Sequence, residues 1–564
     1  MNEIDYAIVG GGVAGTYCAW RLKQKHRDKR RITLFEYSDR IGGRLLSLPP
    51  EKFNVVKCAD GKTIEEKGGL DVVAELGGMR YLPGEHRIFE KVIDMLKLKS
   101  VDFPMGYGKD PNGENNIAYF RRTFLKIKEL RDPQKIPFPN LSWTEKNLSP
   151  DELQYDIMNS FVPDHDKLKT LKDWANVEIF GKKLYQFGFW NLLYRILTPE
   201  AYVFLKYGSG YDTNVSNGNA AILLPTGEEF SPQRSTGDSK NSKPQTKFRT
   251  LENGLQELPQ KLAEEFEKMG GDLKKNHRLD SIKKVNDGYE LKFIITEKRI
   301  EKGRYITIDT NKEEHFTAKS VILAMPRTAL EQIKWDQWKK NEFLKKNLRS
   351  VLNQPAMKIL LVYDYAWWRS LRITFGRSIT DLPIRQTLYF TSKQDAEGKA
   401  IRKKPALLLA SYNDIETIPF WKGLSHTEDD SELFYGPEGY QATKEMVKEA
   451  NEQIEEMHDF EEMLNPIAAA FFDWSVYPFG AGWHCWKPNY KFWEIEHRMC
   501  HPVENEKVYI CGDAYSLAQG WAEGALETAE QVLTEHLDER LEKIISTEGK
   551  AKKKSITKEI KRRR

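Results

Sequence analysis

The chain has 564 residues, 40% of them hydrophobic and 30% charged, with a formal net charge of +4. That length exceeds what one hydrophobic core can hold, so two or three lobes of ordinary globular composition are expected. No run of about 18 apolar residues suggests a transmembrane helix, and five cysteines (Cys18, Cys58, Cys485, Cys500, Cys511) without ligand spacing exclude a cysteine metal site.

The first predicted unit is an apolar strand from Ile4 feeding Gly10-x-Gly12-x-x-Gly15. Gly10 permits the tight turn, Gly12 lets a pyrophosphate approach the backbone, and Gly15 lets the next helix pack on the strand. That helix, predicted over Val13–Lys25, points its free N–H groups and positive dipole end at the phosphates, with Val13 and Ala14 at its start. A second strand, Arg31–Phe35, ends in Glu36, an acid 21 residues past Gly15 and placed to accept from a ribose diol. Because the strand begins so early, no leader peptide is expected. With few, unpaired cysteines, a cytoplasmic location is expected.

Further along, Glu75–Lys97 reads as a Gly-rich turn followed by a helix, and Tyr119–Tyr211 as aromatic-rich helical segments alternating with loops. Ser231–Lys247 is polar, rich in Pro, Gly and Ser, and reads as a connecting loop. An amphipathic helix is predicted over Leu255–Met269 and strands over Tyr289–Thr296, Ser320–Ala324, Lys358–Tyr363 and Leu407–Tyr412. A last apolar strand, Val508–Cys511, ends in Gly512-Asp513 and precedes a long helix, Ala522–Leu541. The closing stretch Gly549–Arg564 carries nine Lys or Arg and one Glu, a local +8, which leaves the rest of the chain at −4. It reads as a disordered basic tail, and without interleaved aromatics it predicts no nucleic-acid partner.

Dinucleotide-type pieces thus stand at the start, middle and end of the chain, a layout more usual for flavoproteins than for nicotinamide dehydrogenases. Together with them, Arg40-x-Gly-Gly-Arg44, Glu75-Leu-Gly-Gly-Met-Arg80, Asn253-Gly-Leu-x-x-Leu-Pro259, Lys358, Thr380-Asp-Leu-Pro383, Gly512-Asp513 and Gln519-Gly-Trp-x-Glu-Gly524 occur in the order seen in flavin amine oxidases. From Ile4 to about Val532 the chain resembles the L-amino acid oxidases of that superfamily.

The resemblance implies an α/β fold: a Rossmann-like FAD-binding domain of the GR2 flavoprotein type, a mixed-sheet substrate domain and a helical insertion. The expected boundaries are 1–72, 248–326 and 498–545 for FAD, 73–120 and 327–497 for substrate, 121–247 for the helical domain and 546–564 for the tail. It implies oxidation of an L-amino acid to a 2-oxo acid with release of ammonia and hydrogen peroxide, O₂ as co-substrate, and a homodimer. Amino acid 2-monooxygenases, amine or polyamine oxidases and a non-catalytic flavin-binding protein are the alternatives.

By the same resemblance Arg80 binds the α-carboxylate, as a planar two-donor fork can, and Tyr412 adds a second hydrogen bond. The Gly520 carbonyl would accept from the substrate amine, and Trp521 and Trp483 would be pocket walls, although Trp474 and Trp483 also suit sheet packing. Lys358 is the catalytic candidate, a lysine in an apolar strand placed to assist the reaction with O₂. FAD would be held by the glycine cradle and Glu36, with Arg44, Asp513 and Gly512 at the phosphate and ribityl end and the Leu279 backbone at adenine. Gly77, Gly78, Met79 and Arg80 would pass under the flavin ring, and the helix start at Gly520, Trp521 and Ala522 would face its pyrimidine. No general base and no metal ligand set stands out. Asp212, Asp381 and Glu523 are candidates to attract a cationic side chain, against the many aromatics that suit an apolar one.

Overall fold

A computed structural model describes residues 3–54, 56–106, 110–226, 248–390, 404–460 and 464–537. The predicted Ser231–Lys247 loop, the end of the last helix and the basic tail lie outside them.

Two sheets organise the described chain. In the first, five parallel strands lie in the spatial order Asp272–Lys274, Ile32–Phe35, Glu3–Val9, the end of Arg304–Leu323, and Val508–Ile510. The three sequence-distant pieces therefore meet in one sheet. The strand Arg304–Leu323 joins them by changing partner: up to Ala318 it pairs antiparallel with Gly288–Glu301, and from Val321 it pairs with Val508–Ile510. Its outer half forms a hairpin closed by Lys302 and Gly303, both at positive φ, the geometry of a two-residue primed turn. The predicted strands Tyr289–Thr296 and Ser320–Ala324 are only the buried parts of this hairpin. Its distal part faces water and carries charged pairs such as Arg299–Glu297 instead of an apolar stripe.

The helix Val13–His26 covers this sheet and is buried on nearly every side from Val13 to Lys23. Its Tyr17, Trp20 and Leu22 pack in one cluster with Leu258, Leu262 and Phe266 of the helix Glu257–Lys268 and with Leu526 and Leu533 near the chain's end. Cys18 and Cys511 are buried in the same cluster. The last helix is α-helical over Ala522–Gln531 and then widens to a π turn over Val532–His536, where Leu537 N–H closes on Val532 O at 3.2 Å.

The second sheet runs Ala468–Asp473, Ala356–Tyr363, Ala406–Asp414, Gln386–Phe390, Phe375–Thr380, Ile117–Phe120 and Thr123–Lys126. All eight residues of Ala356–Tyr363 are buried. Strand alternation puts Met357, Ile359 and Leu361 on the face covered by the helix Lys444–His458, and Leu360 and Val362 on the face that meets Leu76 and Met79. Lys358 shares the parity of the second set, toward the first sheet. Between Pro150 and Leu223 the chain forms short helices, among them Pro150–Phe161, Leu171–Asn176 and Pro199–Ser209, which pack on both sheets through a shared apolar cluster. Four strand pairings cross the expected boundaries: Lys334–Trp335 is an edge strand of the first sheet, Thr123–Lys126 extends the second, Arg249–Leu251 pairs with Ser100–Asp102, and Ser47–Leu48 pairs with Ala74–Glu75. Among the described residues no helix is long and apolar enough to cross a membrane.

Candidate active site

One cavity of about 970 Å³ runs from Gly10–Ala14 to Trp483 and Tyr412, at the upper end of the size usual for small-molecule sites. At its phosphate end the glycines are sterically required. A Cβ on Gly10 would lie 2.2 Å from Ala324 O, and one on Gly15 would lie 1.9 Å from Gly10 O. The Arg40–Arg44 turn packs directly on this loop: Gly42 N–H donates to Gly11 O at 2.9 Å, and a Cβ on Gly43 would sit 3.0 Å from the Gly12 Cα. Glu36 accepts from Gly11 N–H at 2.6 Å and Ser38 N–H at 2.9 Å, which holds its carboxylate at the cradle. Leu279 lines the same end.

Arg44 and Asp513, both expected at the phosphate and ribityl end of the cofactor, form an ion pair with each other. Arg44 also donates to Gly482 O at 3.1 Å and reaches His484 Nδ1 at 3.4 Å. Burial, with Arg44 and Arg327 nearby, holds His484 well below the usual histidine range. Two buried polar atoms here, Asp513 Oδ2 and His484 Nε2, make no hydrogen bond among the described residues. A dry site with an unmatched acceptor and an unmatched ring nitrogen, next to a glycine cradle, fits a cofactor rich in hydroxyl and phosphate groups. His484 escaped the sequence reading. Its only local signal was its place after Trp483 in a short strand.

At the other end, Lys358 stands opposite Tyr412 in the strand pairing, with its ammonium 4.6 Å from the Tyr412 ring centroid. Lys358 is 2% exposed and donates to Gly77 O at 2.5 Å and Glu75 O at 3.2 Å. Burial pushes this ammonium down toward neutrality and the Glu75 carboxyl up. Glu75 accepts from Ser47 Oγ and Leu255 N–H, each at 2.7 Å. The Gly77-Gly78 turn is stapled beneath the cavity by Gly77 N–H to Leu46 O and Gly78 N–H to Arg44 O, both 3.1 Å, with Met79 buried behind.

Arg80 is half-buried. Its guanidinium lies 4.2 Å from the Phe248 ring centroid and 5.6 Å from that of Phe103, with Met105 Sδ at 3.7 Å. Among the described residues no carboxylate lies in ion-pair range of it, so a cation is held in an apolar slot with its charge unanswered.

Three rings meet beside it nearly at right angles. Tyr211–Tyr412, Tyr211–Trp483 and Tyr412–Trp483 centroids are 5.2, 6.0 and 6.3 Å apart. Trp483 lies against Gly520, whose φ of 82° favours glycine. Trp521 precedes the last helix, beside Ala522, and meets His86 edge-on at 4.7 Å. Burial lowers His86 to about 4, so its ring is neutral at pH 7. Trp474 is a packing residue: its indole donates to Leu76 O at 2.8 Å and its ring sits on Phe472 and Phe479. Tyr211, which sits in a Gly-Ser-Gly-Tyr turn without motif signal, was missed by the sequence reading.

The three acids considered for a cationic side chain are engaged elsewhere. Asp212 accepts from Arg385 and Glu416 N–H, Asp381 from Arg121 N–H, and Glu523 from Ile88 and Phe89 N–H, where it caps the helix Arg87–Met95. Asp212 and Asp381 stand outside the cavity lining, whereas Glu523 lines it with both oxygens engaged by helix N–H groups.

The family described as flavin containing amine oxidoreductase matches residues 13–532. Aplysianin-A of Aplysia kurodai is 28% identical over 95% of this chain and 90% of its own length. Achacin of Lissachatina fulica is 28% identical over 95% and 93%, and an L-amino-acid oxidase of Mus musculus 23% identical over 92% and 69%. In fold the chain is similar to putrescine oxidase bound to putrescine, with a TM-score of 0.60, 15% identity, and coverage of 95% of this chain and 99% of that one.

Proposed function

The chain belongs to the flavin-containing amine oxidoreductases, with FAD as cofactor, and from that premise we propose that it oxidises L-amino acids. The observation that carries this reading is the Arg80 guanidinium at the substrate end of the cavity, which no carboxylate among the described residues answers. An amine without a carboxylate leaves that cation with nothing to pair, whereas an amino acid completes it.

In this reading Arg80 offers its two-donor fork to the α-carboxylate, and Tyr412 Oη supplies a further hydrogen bond. The Gly520 carbonyl accepts from the neutral amine, which fixes the Cα–H direction. The rings of Trp483 and Trp521 exclude water from that bond. Held by the glycine cradle, Glu36, Arg44 and Asp513, FAD would supply two-electron redox chemistry between the amino acid and O₂. Lys358, while protonated, offers a cation in a buried pocket where charge develops on oxygen. Overall, amino acid, O₂ and water give 2-oxo acid, ammonia and hydrogen peroxide. The resemblance also suggests a homodimer.

The test is a peroxide-coupled screen of the 20 L-amino acids with D-enantiomers and putrescine as controls, followed by product analysis. Peroxide and 2-oxo acid from L-amino acids alone support the reading. Turnover of putrescine in their place, or an amide product, overturns it.

A further inference from the structure

The short turn Asp212–Val215, which follows the helix Pro199–Ser209, is tied to the end of the strand Ala406–Asp414 by two aspartates: Asp414 caps the backbone of the turn, and Asp212 caps the backbone just past the strand. Asp414 accepts from Asp212 N–H, Thr213 N–H and Thr213 Oγ1 at 2.9, 2.9 and 2.8 Å. Asp212 in turn accepts from Glu416 N–H at 3.0 Å and Arg385 Nη2 at 3.1 Å. Asp212, Asp414 and Arg385 are 5, 0 and 1% exposed. Burying two carboxylates and a guanidinium is costly, and a plain apolar contact would join the two segments more cheaply.

What the clasp holds in place is the cavity wall. Tyr211 and Thr213 both line the cavity, and Thr213 Oγ1 accepts from the Trp483 indole N–H at 3.1 Å. An indole N–H only donates and a carboxylate only accepts, so the hydroxyl between them has its proton directed at Asp414. The chain Trp483 → Thr213 → Asp414 therefore has one polarity and one geometry.

We propose that Thr213 and Asp414 are positioning residues that fix Trp483 as the cavity wall beside Tyr211. This rests on the reading of the cavity as an amino acid oxidase site. It goes further in naming what keeps that wall still.

The experiment uses the FAD-loaded full chain and compares Thr213→Val, Thr213→Ser and Trp483→Phe, alone and combined. Anaerobic flavin reduction against concentration of the best L-amino acid gives a Kd and a limiting rate. Hydrogen exchange of the Trp483 indole N–H, assigned with Trp483→Phe, reads the geometry without any substrate. Thr213→Val is expected to weaken Kd about 10-fold, the scale of one lost hydrogen bond, and to speed indole exchange, with flavin content unchanged. Thr213→Ser restores both. In the Trp483→Phe background Thr213→Val changes Kd less than about 2-fold, because the partner is gone. Wild-type exchange in Thr213→Val, or a Thr213→Ser as impaired as the valine, overturns the proposal. If no amino acid reduces the wild-type flavin, the activity reading falls, and the indole measurement still decides the wall.

Discussion

The two ends of the cavity are built in opposite ways. The phosphate end is backbone: Gly10, Gly12, Gly15 and Gly43 bring main chain close, and their spacing lies within 44 residues. The substrate end is side chain: Arg80, Tyr211, Lys358, Tyr412 and Trp483 come from five separate segments. The backbone end fails when atoms are added and the side-chain end fails when atoms are removed, and that difference orders the following predictions.

The largest effect is expected from Gly15→Val. With even a Cβ placed 1.9 Å from Gly10 O, the cradle cannot close, and the purified protein should carry no FAD when flavin is released and measured by fluorescence. Stoichiometric FAD would break the steric account. Next, Arg80→Ala should lower kcat/KM for L-amino acids about 100- to 1,000-fold, the scale of two charge-assisted hydrogen bonds, at unchanged flavin content. Arg80→Lys should recover only part, because it keeps the charge and loses the fork. Unchanged kinetics in Arg80→Ala would remove the carboxylate anchor.

Lys358→Met should slow reoxidation by O₂ about 10- to 100-fold while anaerobic reduction keeps its rate, since loss of a stabilising charge acts on the step where charge develops. The sign with pH follows from burial, which favours the neutral amine. As pH rises through the neutral range the ammonium loses its proton, so wild-type reoxidation should fall while that of the methionine variant stays flat. A flat wild-type profile would detach Lys358 from oxygen. The smallest effect is expected from Trp474→Phe. It removes the hydrogen bond to Leu76 O and should cost about 1 kcal/mol in denaturant melts, with KM unaltered. A shifted KM would make Trp474 a substrate wall like Trp483.

Much of the first end was legible before any coordinates. GxGxxG and Glu36 act through local spacing, and the strands around them show as apolar runs. The outer hairpin Gly288–Leu323 was half-read because its distal strands face water and carry charge, so periodicity had nothing to detect. Lys358 and Tyr412 were found through motif resemblance. Their direct opposition is a matter of register between strands about 50 residues apart. Tyr211 and Thr213 carried no signal and His484 only its place after Trp483, since their surroundings depend on which turn or strand lands beside them. Asp212 and Glu523 misled for the same reason: an acid looks available until the N–H groups it caps are seen.

The sequence by itself determined the cofactor cradle and the apolar strands that carry it, because a glycine requirement and a side-chain period are set by residues near one another in the chain. Only the tertiary structure decided which charges are free. Arg44 met Asp513, Asp212 met Arg385, and Arg80 met aromatic rings in place of a carboxylate. Charge neutralisation depends on contacts of a few ångströms between residues hundreds of positions apart.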